Sequence, residues 1–264
     1  MVSVKGLDVF GQHFRDFRDS YVLIGGVASA LAMDDAGENF RATKDLDVVL
    51  VIESLNSGFV ASFWEFIKTG GYQIKQKGGE RPQPIFYRFQ NPTDPSYPVM
   101  IELFSRAPEG LEHEENATLT PIPTDEWVSS LSAILLDEDY YQFLLAGRQQ
   151  GEELTYISAD RLIPFKAKAW LDLSQRKANG EGGVDSKDIR KHRNDVLLLS
   201  GLLTGDLIEL SESITADMRL FLERMATEDI DFKALKIKGD LQTIIDRIAE
   251  SFHLRGTLKG NFKA

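Results

Sequence analysis

Short apolar runs alternate with segments of helical periodicity in the first half of the chain. Residues 21–24 are apolar and end at Gly25-Gly26, after which the small side chains of residues 27–33 favour a helix. Residues 45–52 begin with two acids and continue as an apolar run, which indicates a strand buried on both faces. The same periodicity predicts helices over residues 9–17 and 57–69, the latter capped by Ser57, and strands over 73–77, 85–89 and 99–104.

Helical periodicity dominates the second half of the chain. Residues 106–125 are rich in Pro, Glu and Thr, which is typical of a linker or long loop. Residues 130–136 and 140–146 flank three acids and predict a β-hairpin. Helices are then predicted over residues 158–177, 187–199, 215–227 and 239–252, with Ser158 and Ser186 capping the first two.

These elements predict a fold of class α/β (α+β). We expect a mixed sheet flanked by helices over residues 1–125, holding a metal and nucleotide site. Residues 126–264 would add the hairpin and a mainly helical region that contributes a lysine and an aspartate to the cleft.

Composition excludes several kinds of site. The 264 residues include no cysteine, so disulfides, thiolate zinc sites and cysteine nucleophiles are ruled out. The four histidines lie far apart and form no H-E-x-x-H motif. A net charge of −11 argues against a protein that coats nucleic acid with its whole surface. No apolar run approaches the ~20 residues of a membrane helix, and the amino terminus is no secretory signal, so we expect a cytoplasmic protein without a membrane partner.

Asp45 and Asp47 are the sharpest candidates for chemistry. Residues two apart in a strand project from one face, about 6.6 Å apart along the chain. Two such carboxylates repel each other, and a bound divalent cation relieves the repulsion. Mg²⁺ fits because it prefers carboxylate oxygen as a ligand. Two cations ~3.5–4 Å apart would activate an attacking hydroxyl and stabilise the leaving oxygen of a phosphoryl transfer. The alternative interpretation is a pair of solvated acids at a sheet edge.

Neighbouring residues strengthen the catalytic interpretation. The amides of Gly25-Gly26 could approach a phosphate, and Ser29 could add a hydroxyl, although a plain helix-entry turn would use the same residues. Neither a GxxxxGK[ST] nor a GxGxxG motif occurs, so P-loop and Rossmann sites lose their main support. Glu102 lies among apolar strand residues, where a carboxylate needs a partner or metal unless it faces solvent.

These residues carry a family resemblance. Ile24-Gly25-Gly26 and the segment Arg-Ala-Thr-Lys-Asp-Leu-Asp of residues 41–47 resemble the signature of the DNA polymerase β-like nucleotidyltransferase superfamily, most closely its AbiEii/MenT toxin branch. Residues 162–166, ending in Lys166, and 187–190, Lys-Asp-Ile-Arg, are similar to the later motifs of that branch. The resemblance is specific over residues 21–53 and 159–195. The chain departs from the pattern where polymerase-like members place an aspartate, at Glu102.

The resemblance implies transfer of a nucleoside monophosphate from an NTP such as ATP, with release of pyrophosphate. Two Mg²⁺ ions, or Mn²⁺, would be held by Asp45, Asp47 and Glu102. Lys166 would contact phosphate, and Asp188 would orient Lys166 or the acceptor. The residues implied to hold the nucleotide are Gly25, Gly26, Ser29, Arg41, Thr43 and Lys166.

The resemblance also implies a macromolecular acceptor, such as tRNA or a protein, and, for a toxin, a cognate antitoxin. Two alternatives stay open: nucleotidylation of a small hydroxylated molecule such as an aminoglycoside, and an inert module that binds a nucleotide or a partner. The presence of both Asp45 and Asp47 favours an enzyme over the inert module.

The basic residues of the second half admit two interpretations. Lys166 and Lys168 lie two apart on a predicted helix and point in different directions, so only one can face the cleft, and we favour Lys166. Residues 161–193 contain nine bases and four acids, which suits a triphosphate or an RNA backbone. A solvated helix pair has the same composition. For Asp188, the alternative to a site role is complementing the helix dipole.

Overall fold

A computed structural model describes residues 4–74, 85–105, 134–135 and 137–254. This part of the chain forms a mixed sheet flanked by helices, as the sequence predicts. Its strands are β1 (Tyr21–Ile24), β2 (Asp45–Leu50), β3 (Gln73–Ile74), β4 (Ile85–Gln90), β5 (Met100–Ser105), β6 (Arg148–Gln150) and β7 (Thr155–Ile157). Its helices are α1 (Leu7–His13), α2 (Gly25–Asp35), α3 (Ser57–Gly70), α4 (Glu138–Ala146), α5 (Ala159–Ala178), α6 (Ser186–Leu199), α7 (Glu212–Met225) and α8 (Leu241–Ser251).

Strand β2 occupies the middle of the sheet, whose order is β3-β4-β5-β2-β1-β7-β6. It pairs antiparallel with β1 and parallel with β5. Its apolar residues are buried, as their continuous run predicts for a strand covered on both faces. The register places Asp47 beside Ile24 of β1 and Glu102 of β5, so the acidic start of β2 lies next to the end of β1.

An aromatic layer anchors α1 and α3. Phe14 contacts Phe59, Phe63 and Phe66 of α3 at ring-centroid distances of 5.7, 6.1 and 5.2 Å, and all four rings are fully buried. Ring pairs at these separations add a specific attraction to the burial of apolar area. The predicted first helix is interrupted, because α1 ends at His13 and a 3₁₀ turn spans Arg15–Phe17.

Helix α5 organises the second half of the chain. It packs against α6, α7 and α2, so the helical region rests directly on the helix that follows β1. Against α7, Trp170 meets Phe221 edge to face with a centroid distance of 5.4 Å. Helices α5 and α6 both contact α2, which itself packs against β1 and β2. None of the helices in the described ranges is long and apolar enough to cross a membrane.

The predicted hairpin is wrong in its second arm, which is helix α4. Asp137 accepts hydrogen bonds from the amides of Asp139 and Tyr140, and this cap starts a helix where alternation suggested a strand. A hairpin does occur slightly later, as β6 and β7, and β7 pairs with β1. The second half of the chain therefore extends the same sheet. In the first arm, predicted over residues 130–136, Ile134 and Leu135 are helical as well, and residues 130–133 and 136 lie outside the described residues. The linker over 106–125 and residues 75–77 of the predicted strand also lie outside them.

Two predicted caps are displaced by one residue. Asn56, and not Ser57, caps α3 by accepting from the amide of Phe59. Asp185, and not Ser186, caps α6 by accepting from the amide of Lys187. In both cases the residue before the serine supplies the capping oxygen. Ser158 does occupy the cap position of α5, but its side chain makes no capping hydrogen bond.

Candidate active site

The bend between β1 and α2 is shaped to receive Asp47. Helix α2 begins at Gly25 itself, with no intervening turn, and Gly25 has a φ of 66°. A Cβ at Gly25 would overlap Oδ2 of Asp47, so only glycine permits both this backbone conformation and this approach. The carboxylate of Asp47 therefore lies against the backbone of the bend, as the order of these residues in the sequence predicts.

The loop before β2 covers the next residue of the bend. A Cβ at Gly26 would lie 2.7 Å from Oγ1 of Thr43 and 3.6 Å from Nη2 of Arg41. Among the described residues no side chain caps the N terminus of α2, and the first turn of this helix contains no acid. The amide groups and the positive end of the helix dipole therefore lie beside Arg41 and Thr43. This arrangement suits an anion.

Ser29 lies deeper in α2 than the sequence suggests. Its side chain is fully buried, and its hydroxyl donates to the carbonyl of Gly25 at 2.7 Å. The hydroxyl thus supports the backbone of the bend and does not line the cleft. Ser29 is not placed to bind a nucleotide directly, which corrects the expectation from the sequence.

Three carboxylates meet at the start of β2. Asp45 is half-buried and lies on the same strand face as Asp47, while Glu102 stands opposite Asp47 on β5. Burial raises the pKa of Glu102 to about 8, and repulsion by Asp47 and a hydrogen bond that protonated Glu102 donates to Asp47 add to this shift. Burial also raises the pKa of Asp45, and the charge of Asp47 acts in the same direction, whereas Lys191 opposes it.

Arg88 holds the third carboxylate. Its Nε and Nη2 donate to Oε1 of Glu102 at 2.9 and 2.7 Å. A protonated Glu102 bonded to Asp47 and paired with Arg88 relieves the repulsion among the acids. Glu102 is buried with these partners. The alternative interpretation, that it faces solvent, is therefore wrong.

Asp45 and Asp47 have the chemistry of a Mg²⁺ site, since both are carboxylates on one strand face beside a helix terminus. Glu102 would have to lose its proton and exchange Arg88 for the metal to become a third ligand. Within the ranges that the structure describes, no three Asp, Glu or His side chains are already arranged around a metal position. The fit is therefore clear for the two aspartates, and Glu102 is a ligand only after rearrangement.

Asp195 is the centre of a buried charge cluster facing this bend. It accepts two hydrogen bonds from Arg41, Nε to Oδ1 at 2.9 Å and Nη2 to Oδ2 at 2.8 Å. Nζ of Lys166 donates to the same Oδ2 at 2.7 Å. Burial acts to raise the pKa of Asp195, but Lys166 and Arg41 outweigh it and hold the pKa well below its usual range. The carboxylate is therefore ionised and joins the loop before β2 to helices α5 and α6.

Lys166 and Lys168 point in different directions, as their spacing predicts. Lys166 is buried beside Asp195, whereas Nζ of Lys168 pairs with Asp217 of α7 at 2.8 Å. Burial lowers the pKa of Lys166, and the charges of Arg41 and Lys191 act in the same direction. The structure thus places Lys166 on the side of the glycine bend and Lys168 on the opposite packing surface.

The partner of Lys166 is Asp195 and not Asp188. Asp188 is half-buried in the first turn of α6 and forms no ion pair with a described residue. Asp195 follows a basic run and was not among the site residues predicted from the sequence. The available signal was its spacing: Asp188, His192 and Asp195 recur on one helix face, and buried Val196 and Leu197 follow.

His192 completes the buried interior of the cluster. It is 1% exposed, and burial and the nearby charge of Lys166 hold its pKa well below the ordinary value of 6.5. The imidazole is therefore neutral at physiological pH.

Comparison with protein-family models and with curated proteins gives no match for this chain.

Proposed function

We propose that this protein is a Mg²⁺-dependent nucleotidyltransferase of the DNA polymerase β-like superfamily, close to its AbiEii/MenT toxin branch. It would transfer a nucleoside monophosphate from an NTP to a macromolecular acceptor such as tRNA, and release pyrophosphate. The observation that carries the proposal is the contact of Asp47 with Gly25 at the uncapped start of α2. One carboxylate thereby lies beside an anion-binding helix terminus, as a metal-bound triphosphate requires.

The positive charges around the bend support a triphosphate as substrate. Arg41 keeps a third of its side chain exposed while it bonds Asp195. The charge of Lys191 lowers the pKa of both Asp45 and Lys166, so this cation acts on the acids and on the buried cluster alike. These cations, together with the amides of Gly25 and Gly26, would neutralise and orient phosphate oxygens.

Lys166 would act as a positioning residue. It is buried and bonded to Asp195, and Asp195 in turn fixes the guanidinium of Arg41 in a bidentate pair. Holding Arg41 in one geometry before the nucleotide arrives reduces the entropy lost on binding. A Mg²⁺ held by Asp45 and Asp47 would supply Lewis-acid stabilisation of the phosphoryl oxygens.

The test is transfer of label from each NTP radiolabelled at its α-phosphate to bulk RNA, total protein or an aminoglycoside. We expect Mg²⁺-dependent label in a macromolecule, and loss of that label in Asp45→Asn and Asp47→Asn. Glu223→Gln, at an exposed position of α7, is the matched control and should label normally. Expression should slow growth if the protein is a toxin.

Other outcomes of the same experiment would overturn the proposal. Label that appears only on the aminoglycoside would establish the small-molecule alternative. Full transfer by both aspartate variants would remove these residues from the mechanism. If no label appears and no Mg²⁺-dependent NTP binding is found, the protein is an inert module.

A further inference from the structure

Helix α6 carries three positive charges on one of its faces. Lys187, Arg190 and Lys191 recur at the i, i+3 and i+4 positions, within about 6 Å along the helix axis. Lys187 and Arg190 are exposed, and Lys191 is half-buried. The helix packs against α5 and α2, and its buried side chains include His192 and Val196. The three cations, called the α6 stripe below, therefore lie on the part of the helix that these neighbours leave open.

The α6 stripe differs from the other cations of this region in having no acidic partner. Residues 161–193 contain nine bases. Six of them bond an acid or a hydroxyl, in the pairs Arg161–Asp160, Lys166–Asp195, Lys168–Asp217, Arg176–Glu181, Lys177–Ser186 and Arg193–Glu228. The remaining three are the side chains of the stripe, which form no ion pair or hydrogen bond with a described residue.

The acids closest to the stripe in the sequence do not neutralise it. The carboxylate of Asp185 caps the helix, and Asp188 is half-buried in the first turn. On a chain with a net charge of −11, a group of unpaired cations on one helix face favours an anionic partner.

One end of the stripe reaches the candidate active site. Lys191 lies one helical turn before Asp195, the centre of the buried charge cluster. Its charge acts on the pKa of Asp45, at the start of β2. Lys187 and Arg190 lie farther towards the N terminus of α6, in solvent. The stripe therefore leads from the protein surface to the acids of the site.

The charge of the stripe also distinguishes between the acceptors that stay open. An aminoglycoside carries several ammonium groups, so the stripe would repel it. A nucleic-acid strand carries one negative charge for every nucleotide, so neighbouring phosphates can pair with neighbouring cations.

We propose that the α6 stripe binds the phosphodiester backbone of the acceptor RNA and directs the strand to the candidate active site. This inference rests on the proposed function, because the stripe leads to the site where transfer would take place. Lys187 and Arg190 would each pair with one phosphate, and Lys191 would lie where the strand approaches the nucleotide. Contacts of this kind position a strand without reading its bases.

Fluorescence anisotropy of a short, labelled single-stranded RNA tests the proposal on the full chain, in the absence of NTP and Mg²⁺. Each phosphate contact contributes about 0.7 to the slope of log affinity against log salt concentration. Lys187→Gln and Arg190→Gln should therefore each lower this slope by about 0.7, and weaken binding about fivefold at about 0.1 M KCl. Arg219→Gln, at an exposed position of α7, is the control for the loss of one positive charge and should bind as the wild type does.

The remaining outcomes separate this inference from the proposed function. An equal loss of affinity in Arg219→Gln would show a general attraction of RNA for positive charge and overturn the inference. Tighter binding of DNA of the same sequence would assign the stripe to DNA and also overturn it. If the wild-type protein transfers label but binds no RNA, the inference fails and the transferase function stands. Stripe-dependent RNA binding without any transfer would support the inference and count against the transferase function alone.

Discussion

Lys166 and Asp195 form a buried ion pair between helices α5 and α6, with Nζ 2.7 Å from Oδ2. Arg41 adds a bidentate bond to the same carboxylate from the loop that precedes β2. One acid thus connects the strand that carries Asp45 and Asp47 to the helical second half. The position of Arg41 beside the glycine bend consequently depends on a residue more than 150 positions away in the sequence.

Asp195→Asn should destabilise the protein strongly. The substitution leaves the charge of Lys166 buried without its partner, a change that costs about 3–5 kcal/mol. Asp188→Asn is the matched control on the same helix and should cost only about 0.3–1 kcal/mol, because that acid complements the helix dipole. Urea unfolding of both variants measures the difference. Equal, small losses would mean that the buried charge cluster of Arg41, Lys166 and Asp195 does not stabilise the fold.

Lys166→Met should raise the KM for the NTP about tenfold, because Asp195, which holds Arg41, loses its charge-assisted bond to Lys166. Lys168→Met serves as the control, because Lys168 pairs with Asp217 on α7. Steady-state transfer over a range of NTP concentrations distinguishes the two variants. A larger rise for Lys168→Met would assign the nucleotide site to the other face of α5.

The part of the site at the glycine bend could be predicted from the sequence, because its residues lie on neighbouring segments of the chain. The apolar run before Gly25-Gly26 and the acids before the second run place Asp47 near the bend through adjacent antiparallel strands. The partnership of Arg41 with Asp195 could not be predicted in this way. It depends on how α5 and α6 pack against α2, which periodicity alone does not specify.

Helix α4 shows the limit of apolar patterns in short segments. Tyr140, Tyr141, Phe143 and Leu144 are buried in a helix, but nine residues with such a composition also fit a strand. The deciding signal was Asp137, whose side chain caps the helix. At α3 and α6, likewise, the side chain that caps the helix belongs to Asn56 and Asp185, the residues before the serines.

Glu102 should make the metal-free protein less stable as the pH rises. Its pKa is about 8 in the folded protein against an ordinary value of 4.5, so the folded state binds more protons between these values. The free energy of unfolding therefore falls as the pH increases from 4.5 to 8. Glu102→Gln should flatten this dependence in melting experiments without Mg²⁺.

The low pKa of His192 acts in the opposite direction, because its stabilising effect is lost as the pH falls below 6.5. The wild-type protein and Glu102→Gln both retain His192, so the difference between their melting curves measures the contribution of Glu102 alone. Parallel curves over the whole range would contradict the shared proton between Asp47 and Glu102.

Gly25→Ala should abolish transfer. Its free energy of unfolding should be close to that of Gly37→Ala, a matched glycine variant. Gly37 has a φ of 75° with nothing within 4 Å of a Cβ, so Gly37→Ala carries only the backbone strain of about 1–2 kcal/mol. Gly25 has a φ of 66° and carries the same strain, but its Cβ would also displace the carboxylate of Asp47. Since that carboxylate is the end of a side chain, it can rotate away, at the expense of its position beside α2.

Urea unfolding and labelled-NTP transfer on Gly25→Ala and Gly37→Ala separate the backbone strain from the displacement of Asp47. Transfer by Gly25→Ala at the rate of Gly37→Ala would show that the contact of Asp47 with the bend is not needed for the reaction.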